Sequence, residues 1–373
     1  MLSAKLHVVK LCLLIALVLA FFTGDLSVAD SPDAASGRTL PVVGAIRWDA
    51  WFEGSDYEKN LTPRRWHDRL PFYARISPDG SVSVRSDSEK VMDQEITYAK
   101  DAGIGFWAFC YYHYQSGTLG DRYNYGLRRY LASKKRAGLD FCLILQASHI
   151  GLRKDWPQTV KQLVTYFKDP AYKKVLNGRP LLYIFDGHNL ANWAGSDEAA
   201  TAALEELDQA AARAGLPELY VVASVTEKRG AKLLKQYGLD AMSSYSLPPK
   251  GEDIELPYSE LTKSHRKFWD ASKAMAKQFI PMVSTGWDNR PRRTTPELTI
   301  KLRGPWYTPP TPGELAIHLY TAIEWVRNNP ESAEANVVII YAWNESDEGG
   351  WLVPTLAEGN ARLQAVKAAL QMR

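Results

Sequence analysis

The chain has 373 residues, 46% of them hydrophobic and 23% charged, with 45 Lys and Arg against 42 Asp and Glu and a formal net charge of +3. That length supports one large core, and the near balance of charge leaves no electrostatic footprint for nucleic acid. Three cysteines are too few for a disulfide framework, and no Cys-rich metal spacing occurs.

At the start of the chain, Lys5 and Lys10 flank the approach to an apolar run from Leu11 to Phe22, and Ser27-Val28-Ala29 follows it. This pattern predicts a secretory signal peptide over residues 1–29, because the run is short for a membrane span and small residues suit cleavage after Ala29. Cys12 lies inside the run and not behind a small-residue box, so a lipoprotein anchor is not expected. Residues 30–373 then read as one domain, secreted or periplasmic, with no stable membrane association once the signal is removed. The net charge drops by one on cleavage, since the segment carries two lysines and Asp25.

Eight short apolar runs follow, separated by helical stretches. The first, Val42 to Arg47, closes on Trp48-Asp49, and the second, Gly105 to Tyr111, closes on Tyr112-His113-Tyr114. Phe141 to Gln146 leads to Ser148-His149, and Leu181 to Phe185 leads to Asp186-Gly187-His188. Leu219 to Ala223 runs on to Ser224 and Glu227, and the weaker Ala241 to Ser244 ends at Tyr245. Phe279 to Val283 precedes Trp287-Asp288-Asn289, and Val337 to Tyr341 empties into Trp343-Asn344-Glu345-Ser346-Asp347-Glu348. Between them, Met92, Ile96, Ala99 and Gly103 share one helical face, and Glu198 to Ala214 is rich in Ala, Leu and Glu. Near-continuous apolar strands alternating with helices imply a parallel sheet buried on both faces. Eight such units predict an α/β fold, a single (β/α)8 barrel whose polar and aromatic residues gather at the C-terminal face. Two connections exceed what a barrel needs. Leu70 to Val84 reads as a hairpin over Pro78-Asp79-Gly80, and Arg290 to Pro312 is expected to fold over the active face. Cys110 and Cys142 sit in apolar runs and are expected as buried thiols, with pairing between them left open.

Glu345 and Glu348, three residues apart beside tryptophan and asparagine at a strand end, are the candidate catalytic pair. Cleaving an acetal between sugars needs one carboxyl to protonate the leaving oxygen and another as base or nucleophile. Carboxyls about 5 Å apart imply retention of configuration and about 6.5–9.5 Å inversion. Asp347 is a third carboxylate in the same turn, and close like charges raise at least one pKa. Trp48, Tyr111, Tyr112, Tyr114, Tyr245, Trp287 and Trp306 are candidate sugar platforms, with Tyr112 and Trp287 the preferred pair; core packing is the alternative for each. Asp49, Gln146, Asp186, Glu227 and Asp288 are candidates for sugar hydroxyls, against helix capping. Asn344 and Trp351 complete the expected binding set. His113, His149 and His188 are read as hydrogen-bonding to sugar, because no H-x-H or H-E-x-x-H spacing supports a metal. His67, His265 and His318 look structural, and the clusters Lys134-Lys135-Arg136 and Arg290-Pro291-Arg292-Arg293 read as solvated faces. No Gly-rich phosphate loop and no G-x-S-x-G elbow is present.

The stretch Trp343-Asn344-Glu345-x-x-Glu348-Gly349 resembles the W/F-N-E-x-x-E-G signature of glycoside hydrolase family 99 and its WbsX-like relatives. Gly105 to Tyr114, Gly178 to Phe185 and Gly286 to Arg290 are similar to further blocks of the WbsX-like group, and together the blocks span most of the chain from Val42 to Pro354. It implies a retaining, endo-acting glycosidase on α-mannosides that passes through a 1,2-anhydro sugar and uses no metal or other cofactor. On it, Glu345 would take the proton from the sugar's 2-hydroxyl, and Glu348 would protonate the departing oxygen and later activate water. The family commonly has tryptophan where this chain has Ser346, and Trp351 is the available substitute platform. The partner expected is therefore an oligo- or polysaccharide. Glycosyl transfer in polysaccharide synthesis and a non-catalytic glycan-binding barrel are the alternatives.

Overall fold

The computed structural model describes residues 39–113, 122–224 and 227–372, so the signal-peptide expectation over residues 1–29 and the candidate platform Tyr114 lie outside it. Eight parallel strands carry the compact unit that begins at Leu40: β1 Val42–Arg47, β2 Phe106–Tyr111, β3 Asp140–Gln146, β4 Arg179–Phe185, β5 Tyr220–Ser224, β6 Ala241–Ser243, β7 Met282–Ser284 and β8 Val337–Tyr341. They pair in the order β7-β8-β1-β2-β3-β4-β5-β6. An isolated parallel bridge between Met242 and Phe279 joins the two ends, with Met242 N–H on the Gln278 carbonyl at 3.0 Å and Ile280 N–H on that of Met242 at 2.9 Å. Each strand is followed by a helix: α1 Glu89–Asp101, α2 Tyr125–Ala132, α3 Trp156–Phe167, α4 Asp197–Arg213, α5 Glu227–Tyr237, α6 Tyr258–Met275, α7 Pro312–Asn328 and α8 Ala361–Gln371. This is the (β/α)8 barrel that the alternation of runs implies.

The strands are apolar on both faces because one face fills the barrel and the other meets the helices; every residue of β2, β6, β7 and β8 is buried. Helices start where side chains cap them. Ser88 and Ser196 accept the N–H of Val91 and Ala199, and Thr311 forms a full capping box with Glu314 ahead of α7.

Differences from the sequence reading are local. The seventh strand starts at Met282 instead of Phe279, because Pro281 has no N–H to give the ladder and the two residues before it turn toward Met242. Met92, Ile96 and Ala99 are fully buried on α1, but Gly103 lies beyond the helix with φ +83° and is exposed. The hairpin over Gly80 forms with two residues per strand, Arg75–Ile76 and Val82–Ser83. Cys110 and Cys142 are buried free thiols. Among the described residues no helix is long and apolar enough to cross a membrane.

Candidate active site

The end of β8 is stitched to the end of β1. After a cis Tyr341–Ala342 peptide, Trp343 N–H bonds the Ile46 carbonyl at 2.7 Å. The Asn344 amide closes a two-way clamp on the Trp48 backbone, accepting its N–H at 2.9 Å and donating to its carbonyl at 2.7 Å, while Trp51 Nε1 donates to the Asn344 carbonyl at 2.7 Å. Asn344–Glu345 then pairs antiparallel with Gly350–Trp351 around a 3₁₀ turn at Ser346–Glu348. Gly349 sits at φ +83°, where a Cβ would come within 2.5 Å of the Asp288 nitrogen, so the loop after β7 can lie directly on the turn. Asp288 N–H reaches the Glu348 carbonyl at 2.6 Å.

Both glutamates face one guanidinium. Arg292, on the 3₁₀ turn Arg290–Arg292 after β7, sends Nη2 to Glu345 Oε2 at 3.4 Å and Nη1 to Glu348 Oε1. Its fork holds Asp347 through Nε at 2.7 Å and Nη2 at 3.0 Å, and Asn60 Nδ2 secures the same carboxylate at 2.9 Å. Asp347 is fully buried and anchors the arginine. Each glutamate also has a tyrosine donor: the Tyr245 hydroxyl on Glu345 Oε1, and the Tyr341 hydroxyl on Glu348 Oε2 at 2.5 Å. The Glu345 residue is only 3% exposed. Burial and then the negative charge of Glu348 push its pKa up to about 8, against the lowering effect of Arg292. The direction of this shift favours the protonated form of Glu345 more than in an exposed glutamate.

Arg292 corrects the sequence reading, which placed it on a solvated face. Three carboxylates crowded at one strand end require a counter-ion, and the arginine-rich loop after the preceding strand was the signal that could have found it. The guanidinium also lies over the Trp48 ring at 4.9 Å and the Tyr57 ring at 5.3 Å.

The structure brings several expected residues to the neighbourhood of the glutamates. Tyr245 touches Glu345 and packs its ring on Phe185 at 4.7 Å. Trp48 donates from Nε1 to the Tyr112 hydroxyl at 2.9 Å, and Tyr112 meets His149 at 5.4 Å between ring centres. Tyr123, absent from the sequence reading, stacks on both Trp48 and Tyr112, at 6.0 and 4.9 Å. Half-buried Trp287 stands 6.0 Å from Tyr341. Gln146 ends β3 and Asp186 follows β4, both without a described contact to the glutamates, and Asp186 is in the left-handed region at φ +55°. His113 is held by Thr159 at 2.9 Å, while His149 and His188 are exposed. Trp306 is covered by Arg290 at 3.8 Å, and Tyr111 is core, its hydroxyl on Gln162 at 2.8 Å. Glu227 opens α5, and its side chain is not among those described.

Four expected binding residues serve the framework instead. Asp49 is buried against Arg47 at 2.9 Å; Asp288 is locked between Arg69 and Arg290; Asn344 is the clamp on Trp48. Trp351, 1% exposed, lies under Arg362 at 3.6 Å, so it offers no face to a sugar. Among the described residues no group of three or more His, Cys, Asp or Glu is arranged to hold a metal ion.

His265 and His318 form a buried pair behind β7, 5.0 Å apart between ring centres. Burial pulls the His265 pKa down to about 3 and that of His318 well below its ordinary value. Both are neutral when folded but bind protons when unfolded below pH ~6.5, so stability falls as pH drops from there toward 3. His265 alone is expected to account for about 2 kcal/mol of loss at pH 5. Urea titrations at pH 7 and 5 check this: the loss should shrink by that amount in His265→Phe, and an equal loss in both proteins would refute it.

The family model described as Glycosyltransferase WbsX matches residues 133–366. No curated protein matches the chain. Among solved structures, the GH99 endo-alpha-mannosidase of Bacteroides thetaiotaomicron, in complex with BIS-TRIS-propane, superposes with TM-score 0.56 at 15% identity, covering 89% of this chain and 98% of that one. A second structure of the GH99 endo-alpha-mannosidase from Bacteroides thetaiotaomicron gives 0.54 at 15% identity over 89% and 97%. A glycoside hydrolase-like protein gives 0.62 at 14% identity over 90% and 95%. At such identities the likeness concerns the fold.

Proposed function

Because the chain belongs to the WbsX family, we propose that it is an exported glycoside hydrolase, retaining and endo-acting, on α-mannosides or related α-glycans. The observation that carries this reading is the pair Glu345 and Glu348, each with its own tyrosine donor and both held on one guanidinium at the C-terminal end of a barrel. The endo-alpha-mannosidase named for its structural neighbours supports the substrate class, and the charged, apolar and small-residue order of residues 1–29 supports export.

In the proposed reaction, Glu345 as carboxylate takes the 2-hydroxyl proton, and O2 uses that electron pair to attack the anomeric carbon. The glycosidic bond breaks with its electrons on the leaving oxygen, which takes the Glu348 proton. Glu348 then removes a proton from water as the hydroxide opens the anhydro ring, and O2 recovers its proton from Glu345. This returns both groups to their starting states with net retention. Burial favours the proton on Glu345 in the free protein, and that observation favours a second assignment, with Glu345 as the acid and Glu348 as the base.

Hydrolysis of a panel of α-mannosyl and α-glucosyl aryl glycosides and oligosaccharides by the purified exported chain, with and without chelator, tests the reading. Chelator-insensitive cleavage with a retained anomer is the expected result. Chelator-sensitive cleavage that survives Glu348→Gln would move the chemistry to the histidines, and binding without cleavage would make the barrel a glycan-binding module. Cleavage only in the presence of an acceptor sugar, with transfer to it, would favour glycosyl transfer.

A further inference from the structure

We infer that Arg292 is a positioning residue of this site: the two arms of its guanidinium set the spacing of the Glu345 and Glu348 carboxyls and act as their common counter-ion. For its chemistry this inference rests on the glycosidase reading; for its geometry it does not.

Three observations separate Arg292 from an ordinary ion pair. First, it is held from behind. Asp347 takes the Nε and Nη2 fork and is itself buried and fixed by Asn60, so the other N–H groups project toward the glutamates. Second, the guanidinium carbon rests against two aromatic rings, 4.9 Å from the Trp48 centre and 5.3 Å from the Tyr57 centre. Third, the turn bearing it is pinned on both sides. Arg290 binds Asp288 at 2.8 and 2.9 Å, and Arg293 binds Asp253 at 2.6 Å and the Gly304 carbonyl at 3.1 Å. The arginine is thus presented pre-formed, without a loop closure to order it.

A guanidinium has five N–H donors. Among the described residues Asp347 takes two and each glutamate one, which leaves one on Nη1, beside Glu348, for a sugar oxygen. Its single positive charge offsets part of the negative charge of this carboxyl cluster. Among the described residues, the groups facing Glu345 are Glu348 and Asp347 from its own turn, Tyr341 on β8, Arg292 from the loop after β7, Tyr245 after β6, Cys110 on β2 and Tyr112 just after it. Arg292 is the cation among them, and it lowers the Glu345 pKa against every carboxylate that raises it.

The test titrates Glu345 without substrate, by carbon-detected NMR of protein carrying 13C-carboxyl glutamate, the resonance assigned by its loss in Glu345→Gln. In Arg292→Met the Glu345 midpoint is expected to rise by about one to three pH units, and in Arg292→Lys by less. Because Asp347 would be left unpaired in the Met variant, Arg292→Met with Asp347→Asn serves as the variant that keeps the turn neutral. Thermal midpoints verify that each is folded. With a hydrolysed substrate, kcat is expected to fall by about 10²-fold in Arg292→Met with KM little changed, partly restored in Arg292→Lys. A Glu345 midpoint no higher in folded Arg292→Met/Asp347→Asn than in Asp347→Asn alone, or a rise in KM with kcat intact, would overturn the inference. A protein that hydrolyses nothing would defeat the glycosidase reading while leaving the NMR result to decide this one.

Discussion

Glu348→Gln is expected to slow hydrolysis of an unactivated glycoside by about 10²–10⁴-fold, the usual worth of a positioned acid or base. The amide keeps the size and one oxygen, which can still accept from Arg292 while its NH2 donates to the Tyr341 hydroxyl oxygen, so the loss reports proton transfer and not collapse of the turn. If Glu348 is the acid, a dinitrophenyl leaving group needs no protonation, and the first step recovers while the second stays slow; added azide should then restore turnover. Glu345→Gln is expected to lose as much and to recover with neither change, since an amide cannot take the 2-hydroxyl proton. Rescue of Glu345→Gln in place of Glu348→Gln would reverse the roles, in line with the proton that burial favours on Glu345 in the free protein. Wild-type rates in both variants would remove the pair from the chemistry altogether.

The same kind of pattern made the barrel and the glutamates legible, and the same limit hid the rest. Parallel strands covered on both faces must be apolar throughout, so eight such runs announce themselves, and the residues just past each run lie at one end by topology. What a local pattern cannot convey is which of those residues the fold uses for itself. Trp287 and Asp288 are neighbours at one strand end; Trp287 stands half-buried beside Tyr341, and Asp288 is locked between Arg69 and Arg290, whose partnership spans 219 residues for Arg69. Trp351 reads like Trp48 in the sequence, but Arg362 from α8 and Arg69 cover it. Arg292 was hidden for the same reason. In a run of three arginines nothing local says that one stands beneath three carboxylates, another braces Asp288 and the third holds Asp253.

Arg47, the one charged residue in β1, belongs to this hidden class, and it carries the largest expected effect on stability. Its Nε pairs with Asp49 at 2.9 Å and its Nη2 with Glu95 on α1 at 2.9 Å, all with side chains no more than 2% exposed. Glu95 also accepts the Trp343 indole N–H at 2.9 Å, one residue before the Asn344 clamp and two before Glu345. Removing Glu95 leaves Arg47 with Asp49 as its one described carboxylate partner, strips the buried Nη2 of its acceptor in a guanidinium whose Nη1 already has none among the described residues and which lies 4.7 Å from the Trp107 ring centre, and orphans the indole. Glu95→Ala is therefore expected to lose about 3–5 kcal/mol, a large share of the roughly 5–15 kcal/mol that holds a typical domain together. Removing the charges together, as Arg47→Met, Asp49→Asn and Glu95→Gln, keeps an acceptor for Trp343 and should recover most of the loss, because desolvation and attraction then vanish as a unit. Urea unfolding of the single and triple variants decides it. A single-variant loss under about 1 kcal/mol would mean the network behaves as an exposed pair does, and Trp343 would then owe its place before the Glu345–Glu348 turn to packing against Trp107 instead.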